Sequence, residues 1–195
     1  MISPEETIRE LRPDELERLE PLWLALQDHH SRISPRLAGM TKRAPEQSWI
    51  RRRSKYQRWL GDPETFVLVA ERDDELVGYA FVTIGPGYAS WDSGDRLAEL
   101  QTLSVTPAQR GHGLGSRLLG AVRQRLAAQA VAHLAVTSAV TNVDAHSFYQ
   151  RHGLVTAHVI LAGPTTPPED PLAQRRRSPR GKDDVVRAPR RLRRR

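Results

Sequence analysis

Leu103-Ser104-Val105-Thr106-Pro107-Ala108-Gln109-Arg110-Gly111-His112-Gly113-Leu114-Gly115-Ser116 is the stretch from which the fold can be read. It begins as the end of an apolar run, breaks at Pro107, and places glycines at three alternate positions. It then enters an apolar stripe at Leu114, Leu118, Leu119, Val122 and Leu126. The order is strand, glycine turn, amphipathic helix. Glycines so spaced let the backbone approach a bulky anion, and the helix start leaves several amide hydrogens aimed at one place. The positive end of the helix dipole and the charge of Arg110 act in the same direction, so a diphosphate suits this turn better than a neutral ligand.

Two common phosphate loops fail on spacing. The dinucleotide turn needs two residues between its second and third glycines, and only Leu114 separates Gly113 from Gly115. The nucleotide-triphosphate loop needs a lysine before its Ser or Thr, and Gly115-Ser116 has none.

After the turn, Val131 to Val140 is expected as a strand, Val143 to His152 as a short helix stopped by Gly153, and Val155 to Leu161 as a last strand. Strand, turn, helix and strand make a parallel crossover. Before the turn, Leu97 to Val105 reads as a strand. Phe66 to Ala70 and Leu76 to Ile84 read as a hairpin across Arg72 to Glu75, and Tyr88 to Asp95 as a polar loop. Thr7 to Leu11 suits an edge strand. Pro13 to about His30 suits one helix with Leu16, Leu19, Trp23, Leu26 and His30 inward. Ser31 to Pro45 is a loop, and Glu46 to Leu60 a helix with Trp49, Ile50, Arg53, Tyr56, Gln57 and Leu60 on one side. The expected class is α/β, of α+β mixed-sheet type: a central mixed sheet flanked by helices.

The charge is unevenly spread. Of 30 basic and 23 acidic residues, 11 and 4 fall in Pro164 to Arg195, which leaves 19 of each before it and puts the whole formal charge of +7 in that tail. The tail also holds 6 of the 14 prolines and is expected to be disordered, so the domains read 1–163 and 164–195. No stretch is long and apolar enough to span a bilayer, no leader segment is visible, and a cytoplasmic location without membrane insertion is the expectation. With zero cysteines the chain has no disulfide, no thiolate metal site and no thiol nucleophile.

Arg110-Gly111-His112-Gly113-Leu114-Gly115 resembles the Arg/Gln-x-x-Gly-x-Gly/Ala signature of the GNAT superfamily of N-acetyltransferases. Asn142-Val143-Asp144-Ala145-His146-Ser147-Phe148-Tyr149-Gln150-Arg151-His152-Gly153-Leu154 is similar to that family's second motif, with Leu154 in place of the usual Phe. The resemblance runs from about residue 7 to 161. It departs at the end, where family members often have two strands after the last helix and only Val155 to Leu161 is visible here.

The resemblance implies the family's sheet with splayed strands at the cofactor site, and acetyl transfer from acetyl-CoA to a primary amine. It implies that Arg110 and the amides of Gly111, His112, Gly113, Leu114, Gly115 and Ser116 hold the pyrophosphate. Leu103 and Val105 would pair with the pantetheine through their backbones, and one of their amides would polarise the thioester carbonyl. Asn142 would offer its amide to the pantetheine; it also reads as a helix cap. Direct attack needs a base and an acid. Glu99 is the carboxylate inside the strand leading to the turn, an even number of residues from Leu103 and so expected on its face. Water, with Glu99 a plain strand-end charge, is the alternative. Tyr149 suits the acid, with a packed aromatic as its alternative; Asn142, Ala145 and Tyr149 share a helix face. Lacking cysteine, the chain would work through a ternary complex.

His29 and His30, adjacent on a helix, point about 100° apart and have no third ligand at a metal spacing, so no metal is expected. Arg51 to Arg53 read as a solvated face, and Trp91 as a loop aromatic near substrate or capping the core. The expected partners are a small-molecule or peptide amine, with a homodimer and a weak polyanion contact of the tail left open. Two competing functions are a polyanion-binding (nucleic acid or ribosome) module working through the tail and a non-catalytic acyl-CoA sensor. The neutrality of residues 1–163 speaks against the first.

Overall fold

The computed structural model describes residues 6–34, 37 and 39–166. The chain divides into two units, Met1–Val159 and Ile160–Arg195. In the second, the described residues 160–166 contain no helix or strand, and the rest of the basic tail lies outside the described residues.

The first unit is built on five strands in sequence order: β1 (Thr7–Glu10), β2 (Phe66–Arg72), β3 (Glu75–Pro86), β4 (Arg96–Val105) and β5 (Leu134–Val136). The first three junctions are antiparallel and β4 with β5 is parallel, so the sheet is mixed. β2 and β3 turn through Asp73 and Asp74, both left-handed at φ 50° and 62°, the conformation that a two-residue hairpin requires.

Helices cover both faces. α3 (Leu114–Ala128) buries Leu114, Leu118, Leu119, Val122 and Leu126, the stripe expected from spacing, against Leu68, Ala80, Val82, Ala98 and Leu100. Each such leucine contributes about 2 kcal/mol through lost apolar exposure. On the other face, α1 (Glu20–Ile33) and α2 (Pro45–Trp59) pack Leu22, Trp49 and Tyr56 over Val67, Val69, Tyr79 and Phe81. α4 (Val143–Arg151) follows β5.

Four expectations are corrected. Pro13 to His30 is not one helix: Pro13–Leu19 is a 3₁₀ segment, and α1 starts at Glu20 with Pro21 in its first turn. The change from three to 3.6 residues per turn shifts the stripe, so Leu22 is buried while Trp23 and Leu26 are only half-buried. On α2, Ile50, Arg53 and Gln57 face solvent, because the inward side follows Trp49 and Tyr56. The strand expected over Val131 to Val140 shrinks to Leu134–Val136, delayed by a left-handed Ala130 at φ 56°. Val155 to Leu161 forms no strand, and Val155, Val159, Ile160 and Leu161 are exposed. Strand propensity works by filling a half-buried pleated surface, and these side chains cover none.

The 3₁₀ segment is tied to the sheet by charge. Glu15 is buried and accepts from Arg9 at 2.7 and 2.9 Å and from the Arg12 amide at 3.0 Å, while Arg9 and Arg18 also reach Glu71. The Arg9 hydrogen bond leads in holding both carboxyls down to about 2.

Candidate functional site

β4 changes character at Gln101. Leu100 pairs with Val82 and Thr102 with Phe81, so Gln101 has no partner and forms a bulge. Before it, Ala98 and Leu100 point into the α3 core. After it the order inverts: Leu103 and Val105 pack toward α3, whereas Thr102 and Ser104 bond to Tyr56 of α2 and the Leu22 carbonyl of α1. Glu99 and Leu103 therefore lie on opposite faces. The even-number rule fails here because the bulge inserts one residue into the period of two.

The bulge also redirects the backbone. The Thr106 amide donates to the Val77 carbonyl at 2.9 Å, which places Thr106, Ser104 and Thr102 in the positions bonded to β3. The amides and carbonyls of Leu103 and Val105 face away from β3. β5 pairs only with Ala98, Glu99 and Leu100, so that edge of β4 is free from Thr102 onward. Pairing across this edge stops where β5 ends, at Val136.

Three hydroxyls fix the bulge, and spacing alone did not reveal them. Thr102 donates to the Gln101 carbonyl at 2.7 Å. With that proton committed, the Tyr56 hydroxyl donates to Thr102 at 2.7 Å and the Tyr79 hydroxyl to Tyr56 at 3.0 Å. Both tyrosines are fully buried, and burial pushes both phenols up, so they remain donors. The helical period marks Tyr56 as inward; its meeting with Thr102 depends on register across 46 residues.

Beside the free edge lies the glycine turn. Gly111 and Gly113 have φ of 79° and 81°, a region costly to any residue with a Cβ, and Gly113 caps α3. Gly115 is not required in the same way: a Cβ there would stand 3.5 Å from the Phe148 ring of α4, an ordinary contact that alanine could make. No backbone amide from residue 111 to 116 is donated to an acceptor among the described residues. Six adjacent donors at the positive end of α3 make an anion cradle. The Arg110 Nε donates to the Val105 carbonyl at 3.1 Å, so its exposed guanidinium stands between turn and edge.

Asn142 is 8% exposed and caps α4, its Oδ1 accepting from the Ala145 amide at 3.4 Å. Tyr149 packs edge-on to Phe148, with ring centres 5.2 Å apart, and against the α3-side core. Burial pushes its phenol up to about 12, so it carries its proton at neutral pH. Glu99, half-buried, lines a cavity of about 640 Å³ on the opposite face, with Lys55, Arg58, Trp59, Thr83 and Gln101.

The remaining singled-out residues are elsewhere. His29 and His30, near the end of α1, have ring centres 5.9 Å apart and planes tilted by 46°; burial foremost, then His29, holds His30 below its usual range. Among the described residues, no three His, Asp or Glu side chains gather as a metal site, and no helix is long and apolar enough to cross a membrane. Arg52 lies over the Trp23 ring at 4.1 Å, and Arg53 pairs with Glu17. Trp91 is 71% exposed and caps nothing.

Residues 23–154 match the Acetyltransferase (GNAT) family. Over 157 residues the chain is 29% identical to mycothiol acetyltransferase of Kocuria rhizophila, covering 76% of this chain and 46% of that protein. Over 102 residues it is 35% identical to aminoalkylphosphonate N-acetyltransferase of Salmonella typhimurium, covering 50% and 61% respectively. The chain thus spans about half the length of the first relative and three fifths of the second. Among solved structures, an aminoglycoside N-acetyltransferase in complex with CoA superposes with a TM-score of 0.62 at 17% identity, over 84% of this chain and 97% of that one.

Proposed function

The chain belongs to the GNAT acetyltransferase family, and from that premise we propose that it transfers the acetyl group of acetyl-CoA to a small primary amine by direct attack in a ternary complex. The observation that carries the reading is the row of six unpartnered amides at the start of α3, adjoining the free edge of β4. Those two features together match a ligand with a diphosphate at one end and an amide-bearing arm at the other. The CoA bound by the aminoglycoside-acetylating neighbour, and the amine acceptors in the names of that neighbour and of the Salmonella relative, support the reading.

In this reading, the amides of residues 111–116 and Arg110 bind the pyrophosphate, and Leu103 and Val105 pair with the pantetheine amides. Asn142, tied to its cap through Oδ1, has its amide nitrogen left for the same arm. Acetyl-CoA supplies the activated acyl group. Glu99 takes the proton of the incoming ammonium on the α2 side of the sheet. The amine nitrogen then bonds to the carbonyl carbon as the carbon–sulfur bond breaks, and an amide of Leu103 or Val105 steadies the carbonyl oxygen. Tyr149, on the α3 side, gives its proton to the departing sulfur; the second proton that the nitrogen loses on becoming an amide passes through solvent to restore the Tyr149 phenol, and Glu99 returns its own to solvent. Base and acid on opposite faces of one edge let acceptor and donor approach from different sides. With no cysteine in the sequence, no enzyme thioester intervenes.

The test is thiol release from acetyl-CoA over a panel of amines, with CoA binding followed by calorimetry. Saturable release that needs both substrates is expected. Absence of CoA binding would end the reading.

A further inference from the structure

The cavity beside Glu99 is lined by charges of both signs. Its wall is the last part of α2, where Lys55 sits over the Trp59 ring at 4.4 Å and Arg58 follows one residue before that ring. Its floor is Thr83, Glu99 and Gln101, with Gln101 donating to the Thr83 hydroxyl at 2.9 Å. Neither Lys55 nor Arg58 has an acidic partner among the described residues, and Glu99 has no basic one. Of the nearby cations, Arg53 pairs with Glu17 and Arg96 with Glu64, while Arg52 lies over the Trp23 ring. Asp62, the other carboxylate at the rim, accepts from the Glu64 amide at 2.9 Å and serves its own turn.

We propose that this cavity is the acceptor site and selects a zwitterionic amine, one whose amino group meets Glu99 while a carboxylate or phosphate a few bonds away meets Lys55 and Arg58. This rests on the transferase reading above. A cavity of about 640 Å³ has the volume of a small-molecule site. It reaches Gln101, the bulged residue at which the free edge of β4 begins, so a molecule held there presents its nitrogen to that edge. Two cations on the wall repel a second ammonium, which disfavours diamines and polycations, and leaving either cation unpaired beside a neutral tail forgoes a charge-assisted contact.

The experiment compares acceptors of similar length: β-alanine, 2-aminoethyl phosphate, ethanolamine and 1,3-diaminopropane. The kcat/KM for at least one anionic amine is expected to exceed that for ethanolamine about tenfold, the size of one charge-assisted hydrogen bond, with the diamine lowest. The two anionic arms separate carboxylate from phosphate. Arg58→Gln and Lys55→Gln, at exposed helix positions, are expected to collapse that ratio, and Arg58→Lys to restore part of it. A second readout needs no turnover: the Trp59 indole resonance shifts with 2-aminoethyl phosphate or β-alanine, and Arg58→Gln removes the shift. Transfer that favours the diamine, or a ratio unmoved by both Gln variants, overturns the inference while leaving the transferase reading intact. A Trp59 response without any thiol release would show binding in the cavity but would end the transferase reading and the acceptor assignment with it.

Discussion

The two halves of β4 differ by one residue of register and by everything that follows from it. From Ala98 to Leu100 the strand has neighbours on both sides, and the Ala98 amide is spent on the His133 carbonyl at 3.0 Å. From Thr102 to Val105 it has a strand neighbour on one side only; on the other side the Leu103 amide and carbonyl and the Val105 amide are unspent, while the Val105 carbonyl accepts from Arg110. The first half is anchored in the sheet; the second is an edge held in place from behind by three buried hydroxyls. One inserted residue is enough to exchange which side chains face each helix layer and which backbone groups face away from β3, because a bulge shifts faces and bonding directions together.

The comparison breaks most severely if the glycine turn is filled. Gly113→Val forces a branched side chain into left-handed backbone at a cost of about 1–2 kcal/mol. It also displaces amides of the cradle. CoA affinity is expected to fall about 100-fold or more while circular dichroism stays that of the folded chain. Gly115→Ala, which keeps ordinary contact with Phe148, should change affinity little. Comparable losses in both would mean that the turn serves packing and not the ligand.

Next in size is Tyr149→Phe, expected to lower kcat about 100-fold, as removal of a general acid does, with little change in the KM for acetyl-CoA. An unchanged kcat from pH 6 to 9 would reduce Tyr149 to a packed ring.

Tyr56→Phe addresses the division of β4 itself. It leaves the Thr102 and Tyr79 hydroxyls without their shared partner, for about 1–3 kcal/mol of stability. The loosened bulge should weaken CoA about tenfold, yet leave the affinity for adenosine 3′-phosphate 5′-diphosphate, which lacks the pantetheine, where it was. Equal weakening of both ligands would show that the hydroxyl chain supports the fold in general and not this edge.

The smallest effect lies away from the site. Glu15 and Glu71 have folded-state pKa values depressed to about 2, so their contribution to stability is complete above the ordinary carboxylate range, near 4.5, and fades as pH falls toward about 2. The gap in unfolding midpoint between the wild type and Glu15→Gln should narrow over that interval and be steady above it. A gap that widens on acidification would contradict the Arg9 pairing.

What could be read in the residues follows the same line of division. The glycine turn, the α3 stripe and the order of strands before it are local patterns, and each is where spacing puts it. Glu99 was expected on the face of Leu103 because alternation assumes an unbroken period of two. The residues that interrupt it, Tyr56, Tyr79 and Thr102, meet only through tertiary register. The phase of α1 departs from the expected stripe for a related reason, since a 3₁₀ turn ahead of Pro21 resets it to Leu22. Val155 to Leu161 has the composition of a strand without a surface to fill. Lys55 and Arg58 carry no local signal that sets them apart from the other cations of α2; only the tertiary structure brings them to one cavity with Glu99.

Amide hydrogen exchange measured residue by residue by nuclear magnetic resonance, with and without CoA, tests the central assignment most directly. Protection is expected to appear at Leu103, Val105 and residues 111–116, with the Ala98 amide, already bonded to His133, unchanged. Protection that leaves Leu103, Val105 and the glycine turn untouched would contradict the account.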